Sequence, residues 1–155
     1  MKRTLTLALL ASATLFPACS DMGPGSDDLE RQIATQRAIW KAYRPATYTF
    51  DVERLCFCAE EARGPVRVSV AGEQVRARTY LGDGSPVDAS YHDLFPSVDG
   101  LFDILEEAVR GGAHQIQVTW DPVTGAPLDF WVDYEANLAD EEQGYRLVAA
   151  PRAGG

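Results

Sequence analysis

Alternation of apolar and polar residues predicts six β-strands, in two groups of three, along this chain. In a strand with one buried face, every second side chain points toward the core. Tyr48, Phe50 and Val52 follow this pattern, with polar residues between them. The alternating segments are 48–58, 66–70, 75–81, 115–120, 128–134 and 145–149. Glycine-bearing turns at 72–73 and 121–125 join neighbouring segments and predict two hairpins.

A helical pattern, with apolar residues three and four positions apart, precedes the first group of strands. Asp27 and Glu30 have the spacing of a capping box at its start. Pro45 disfavours helical backbone at the residue before it, so the helix should end near Arg44. The face expected to pack in the core consists of Leu29, Ile33, Gln36, Trp40 and Tyr43.

A second amphipathic helix is predicted between the two groups of strands. Ser97 is a residue type that caps helix N-termini, and Gly111 is expected to end the helix in the left-handed conformation. The apolar face consists of Val98, Leu101, Leu105, Ala108 and Val109.

The element order α-β-β-β-α-β-β-β with short connections favours antiparallel neighbours. We therefore predict an α+β fold in which both helices pack on one face of an antiparallel sheet. The other face would be free to bind a partner, and Trp131 is a candidate residue there.

The N-terminal residues predict a secretory signal that ends in a lipid-modified cysteine. Lys2 and Arg3 precede an uncharged segment, 4–16, which is shorter than the ~20 residues that a membrane-spanning helix needs. Ala18 and Cys19 then resemble the lipobox of bacterial lipoproteins, in which the cysteine is acylated and becomes the new N-terminus. The alternative is cleavage by ordinary signal peptidase, which would give a secreted domain.

These features predict four regions in the chain. Residues 1–18 are the lipoprotein signal peptide, and 19–27 contain the lipidated Cys19 and a tether. Residues 28–150 form one α+β domain, and 151–155 form a disordered tail.

Size and charge limit the classes of function. The 155 residues leave room for one ordinary domain. With 23 acidic and 14 basic residues, the net charge of −9 disfavours nucleic acid as a partner, because phosphate binding needs clustered Lys and Arg. We expect the protein in the bacterial cell envelope, at the outer membrane and periplasm or on the outer cell surface. The expected partners are the membrane, through the lipid, and an unidentified envelope protein or cell-wall component.

Cys56 and Cys58 are the residues with the clearest candidate chemistry. In an extended strand, residues two apart lie about 6.6 Å apart at Cα, near the upper limit for a disulfide. In an oxidising envelope, a structural disulfide or two buried thiols is the first interpretation. A thiol-redox pair and a site for Zn or Cu remain open, with His114 a weak candidate for a further ligand. A β-bulge near Arg54 would expose the thiols, whereas uninterrupted alternation would place both on the core face.

A set of motifs resembles a family of short bacterial lipoproteins and secreted domains called domain of unknown function 6174. The likeness covers roughly 37–149. The turn between the fourth and fifth strands contains Asp121, Pro122 and Gly125. Trp120 and Ala126 stand at the two positions where the family often has tyrosine. The other matching residues are Trp40, Tyr43, Tyr48, Phe50, Cys56, Phe57, Cys58, Pro127, Asp133, Asp140, Glu141, Glu142 and Tyr145. The resemblance implies an envelope domain and no catalytic residue.

Sequence motifs of common enzyme classes are absent from the chain. It contains no G-x-S-x-G, no P-loop, no G-x-G-x-x-G and no H-E-x-x-H. We therefore expect a non-catalytic binding or structural module without a cofactor. The alternative function is a thiol-redox or soft-metal lipoprotein that uses Cys56 and Cys58.

Overall fold

The computed structural model describes residues 26–137 and 142–154. The helices in this part of the chain are α1 (Ser26–Tyr43), α2 (Glu60–Arg63) and α3 (Val98–Arg110), with a 3-10 helix at Ala89–Leu94. The strands are β1 (Thr47–Leu55), β2 (Val66–Ala71), β3 (Gln74–Tyr80), β4 (Gln115–Trp120), β5 (Pro127–Asp133) and β6 (Gln143–Ala153).

These strands form one antiparallel sheet in the order β3-β2-β1-β6-β5-β4. The α+β class and the antiparallel sheet are therefore confirmed. The predicted element order is matched only in part, because α2 follows β1 and the 3-10 helix precedes α3. Pairing of β1 with β6 brings the first and last strands together at the centre, so the two groups of three form one layer.

The stripe of α1 that faces the rest of the molecule shares Ile33 and Trp40 with the predicted one, but it contains Arg37 and Arg44 where Gln36 and Tyr43 were expected. Ile33 and Trp40 are buried, and Arg37 and Arg44 pair with acidic residues of α3. These four positions are spaced four, three and four apart, which is one face of a helix. Tyr43 was predicted to lie in the core, but its side chain is 48% exposed because it sits one position off this stripe.

Helix α3 has the predicted cap, and its apolar face matches the predicted one except that Phe102 is also buried and Val109 is only partly buried. The Ser97 hydroxyl accepts a hydrogen bond from the Gly100 N–H at 3.2 Å, which satisfies one of the free donors of the first turn. The buried residues are Val98, Leu101, Phe102, Leu105 and Ala108. The left-handed residue after the helix is Gly112, with φ +72°, and not Gly111 as predicted. Gly111 stays helical because its N–H still bonds to the Glu107 carbonyl at 2.8 Å.

The sheet face opposite the core carries mainly polar and charged side chains. On β1 the buried Asp51 accepts two hydrogen bonds from the Arg67 guanidinium, at 2.7 and 2.9 Å. These hydrogen bonds lower the pKa of Asp51. Trp131 lies between the buried Phe130 and Val132 on β5, so strand alternation places its side chain on this opposite face.

The C-terminal end of the chain is more ordered than the sequence predicts. We expected a disordered tail from residue 151, but β6 continues through Pro151 to Ala153. Arg152 and Ala153 pair with Thr49 and Tyr48 of β1, and Arg152 lies 3.6 Å from the Asp51 carboxylate. Residues 149–153 do not alternate between apolar and polar, so their sequence alone did not predict a strand. The strand continues there because of its pairing with β1, which is distant in sequence.

The predicted signal peptide, Cys19 and most of the tether lie outside the described residues. Among the helices that are described, none is long and apolar enough to cross a bilayer.

Candidate functional site

A disulfide closes a short loop directly after β1. The strand ends at Leu55, and Cys56 and Cys58 lie in the bend that follows, with their sulfur atoms bonded. Their Cα atoms are 5.4 Å apart, closer than the roughly 6.6 Å expected for an extended strand, because the backbone bends there. This separation lies within the normal range for disulfides.

Phe57, between the two cysteines, is the most exposed large apolar residue in the described part of the chain. Its side chain is 100% exposed, whereas both cysteines are only partly exposed. Phenylalanine is among the residues most often found fully buried, so complete exposure of its ring is unusual. We call residues Cys56 to Cys58 the disulfide loop.

Arg54 packs beneath the disulfide loop. Its position shows whether a bulge interrupts the alternation of β1 before the two cysteines. It pairs with Tyr145 across the strands, and its guanidinium lies 5.8 Å from the centre of the Tyr145 ring. Alternation from Phe50 therefore continues to Arg54, without a bulge at that position. The irregularities in the β1–β6 pairing lie earlier, on either side of Asp51.

Hydrogen bonds hold the Arg54 side chain in this half-buried position. It donates to the Ala62 carbonyl at 3.1 Å and to the Gln143 side-chain oxygen at 3.4 Å. Gln143 in turn donates to the Tyr134 hydroxyl at 3.1 Å. A buried or half-buried guanidinium needs such acceptors, because unpaired donors are costly. Sequence reasoning missed this network, although alternation already placed Arg54 on the core face.

A shallow cavity of about 450 Å³ lies at the disulfide loop. Its lining combines the loop with the polar network beneath it: Arg54, Cys56, Phe57, Cys58, Tyr134, Glu142 and Gln143. An exposed aromatic ring beside hydrogen-bonding side chains is typical of protein-binding surfaces. Bonded sulfurs offer no thiolate, which is the form that binds metals and attacks substrates.

His114, the weak candidate for a metal ligand, lies just before β4 and is exposed. Strands β6 and β5 separate β4 from β1, so the histidine and the disulfide loop are about three strand spacings, or roughly 14 Å, apart. The structure therefore does not bring His114 together with Cys56 and Cys58. Within 26–137 and 142–154, no three His, Cys, Asp or Glu residues form a metal-binding group.

The turn containing Asp121, Pro122 and Gly125 joins β4 and β5, as predicted, and its interactions are structural. The Asp121 carboxylate accepts hydrogen bonds from the Val123 and Thr124 N–H groups at 2.8 and 2.7 Å. Gly125 has φ +74°, and a Cβ there would lie 2.5 Å from the Gln36 carbonyl oxygen of α1. The glycine lets this turn pack directly against the helix.

Together these features define a small α+β domain with a disulfide-closed loop at one end of an antiparallel sheet. The chain belongs to the family of unknown function DUF6174, whose model matches residues 32–149. This match confirms the part of the resemblance that concerns domain of unknown function 6174. No curated protein and no solved structure matches the chain.

Proposed function

We propose that this protein is a lipid-anchored domain of the bacterial cell envelope. In this proposal it binds an envelope protein or cell-wall component without catalysing a reaction, and the disulfide loop contacts the partner. The observation that carries the proposal is the fully exposed Phe57 between two bonded cysteines. The signal sequence and Cys19 supply the membrane attachment.

Phe57 has the properties of a residue that dominates a binding interface. Burying a phenylalanine side chain that was exposed gains roughly 1.5–3 kcal/mol. The disulfide limits the conformations of the loop before binding, so less conformational entropy is lost on association. Aromatic residues in such positions often carry much of the binding free energy.

The proposed lipid anchor has two measurable consequences: the protein should be in the membrane fraction, and its N-terminal residue should be an acylated cysteine. In the native strain, the protein should fractionate with membranes, and the N-terminal peptide should start at Cys19 with the added mass of acyl chains. The variant Cys19→Ser should move to the soluble fraction of the envelope, because no thiol is left to acylate. A native chain with an unmodified N-terminus in the soluble fraction would contradict the anchor and favour the secreted alternative.

If the disulfide loop binds the partner, a crosslinker placed in this loop should react with the partner. A photo-crosslinking phenylalanine analogue at position 57, in the anchored protein in living cells, should give a covalent adduct of one defined mass. The matched control is position 123: Val123 is also apolar and is 69% exposed, but it lies in the β4–β5 turn at the opposite end of the sheet. Position 123 should give no such adduct.

The contribution of the disulfide is tested with the same probe. In the double variant Cys56→Ser and Cys58→Ser, the adduct yield should fall several-fold while the domain stays folded, with a thermal unfolding midpoint lowered by several degrees. The reason is that a disulfide closing so short a loop removes only about 1–2 kcal/mol of chain entropy from the unfolded state. Equal adducts from positions 57 and 123, or none from 57, would show that the loop is not the binding surface.

A further inference from the structure

The two edges of the sheet differ in how they are covered. At the β3 edge, the Tyr80 N–H donates to the Ser85 carbonyl and the Val87 N–H to the Arg78 carbonyl, at 2.9 and 3.0 Å. Pro86 bridges to Thr79 in the same place. A segment of the chain itself, 85–87, therefore covers the Arg78 to Tyr80 end of that edge. On the outer side of β4, no strand is paired within 26–137 and 142–154.

The apolar core is open along β4. A cavity of about 730 Å³ lies between this strand, the first turns of α1 and the end of α3. Ile116 and Val118 line it from the sheet, and Leu29 and Val109 line it from the helices. All four side chains pack against the core yet are only partly buried, because no layer covers the last strand. We call this cavity the edge groove.

From Gln115 to Thr119, strand β4 lacks the features that normally prevent pairing with another strand, and the irregularity in its pairing with β5 lies after Thr119, at the end of the strand. Its residues, Gln115 to Trp120, alternate polar and apolar, and none is charged or proline. Proteins usually protect an exposed edge with a charged residue, a proline, a bulge or a covering segment. An unprotected edge beside an apolar groove has the form of a site that accepts an added strand, whose alternate side chains fill the groove.

We propose that the β4 edge binds an extended peptide segment of a partner protein, with apolar residues at alternate positions and basic residues at its ends. The negative charge near the groove favours a peptide with basic ends over a second copy of this acidic chain. Asp27, Asp28 and Glu30 lie in the first turns of α1 beside Leu29, and the whole chain has a net charge of −9. A second copy would bring the same acidic helix to the same edge, whereas a basic segment would be attracted to it.

The experiment uses the mature protein, purified from membranes in detergent, and short synthetic peptides. The first probe has valine at alternate positions, threonine between them and lysine at both ends, and the second has glutamate at the ends. The lysine peptide should slow amide hydrogen exchange in 115–120 and leave exchange in 74–80 unchanged. The glutamate peptide should bind at least about tenfold more weakly, because the first turns of α1 beside the groove carry Asp27, Asp28 and Glu30 against one cation, Arg31, which pairs with Asp28.

Two single-residue variants place the same charge on opposite sides of β4. Val118→Lys puts an ammonium group into the edge groove and should weaken binding of the lysine peptide by about tenfold or more. Thr119→Lys adds the same charge at an exposed position on the other face, outside the groove lining, and should weaken binding by about twofold, because the backbone edge and the groove stay intact. Circular dichroism checks that both variants fold.

Three results would overturn the proposal. These are no protection of 115–120 by the lysine peptide, equal binding of the two peptides, and equal effects of the two variants. A dimer in sedimentation that Val118→Lys dissociates would show that a second copy occupies the edge instead. The crosslinking test at Phe57 concerns the other surface, so either proposal can fail without the other.

Discussion

Replacing Trp40 by alanine is expected to lower the free energy of unfolding by about 4 kcal/mol, the usual range for deleting a buried large aromatic side chain. Trp40 is fully buried between α1 and the sheet. Its ring packs edge-on against Tyr48 of β1, with the ring centres 5.2 Å apart. Its indole N–H donates to the Asp99 carboxylate of α3 at 3.3 Å. The alanine variant therefore leaves a cavity where α1, α3 and β1 meet.

Denaturant unfolding, followed by circular dichroism, measures this loss. The matched control is Tyr43→Ala, an aromatic residue three positions later in the same helix whose ring is half exposed. That variant should lose no more than about 1 kcal/mol, as substitutions outside the core usually do. Similar losses for both variants would mean that α1 packs through the face predicted from the sequence and not through the stripe of Ile33, Arg37, Trp40 and Arg44.

The parts of the fold that the sequence predicted are those with a strong local period. Val66, Val68 and Val70 alternate with polar residues, and all three are buried. Helix α3 has an equally regular apolar face and a hydroxyl cap, and its first residue is the one after Ser97. In both elements the local propensity and the tertiary packing favour the same structure, so one sequence window contains enough information.

Long-range pairing could not be predicted in the same way. The central contact of the sheet joins β1 to β6, which lie at opposite ends of the domain sequence. No spacing rule connects these strands, because their pairing depends on how the two halves pack together. The continuation of β6 through Pro151 has the same origin, since its partners are Tyr48 and Thr49. The edge groove also follows from strand order, because β4 is outermost only once β1 and β6 pair.

The candidate site was predicted in its chemistry but not in its geometry. Two cysteines separated by one residue predict a disulfide if the chain is exported to an oxidising compartment, as the N-terminal sequence predicts. Uninterrupted alternation would place Phe57 on the face opposite the core, and a bulge near Arg54 would bury it instead, so the pattern alone did not decide its exposure. In the structure β1 ends at Leu55. The strand stops there because the chain bends into the disulfide loop and then into α2. The exposure of Phe57 is therefore a consequence of tertiary structure.

Replacing Gly125 by alanine is expected to lower the free energy of unfolding by about 3 kcal/mol, from two separate causes. The first is the φ of +74°, which strains any residue with a Cβ. The second is a collision, because the new Cβ would lie 2.5 Å from the Gln36 carbonyl oxygen and 3.0 Å from the Ile39 Cβ. Both contacts are on α1, so the β4–β5 turn would be pushed away from the helix.

Gly84 separates these two causes, because it has nearly the same backbone angle without the crowding. Its φ is +75°, and a Cβ there meets nothing within 4 Å. Gly84→Ala should therefore lose only the conformational part, about 1 kcal/mol, and the difference between the two variants measures the collision. Equal losses in thermal or denaturant unfolding would show that the turn does not rest on α1. A larger loss for Gly125→Ala would mean that close packing on the helix is the reason glycine stands at this position of the turn.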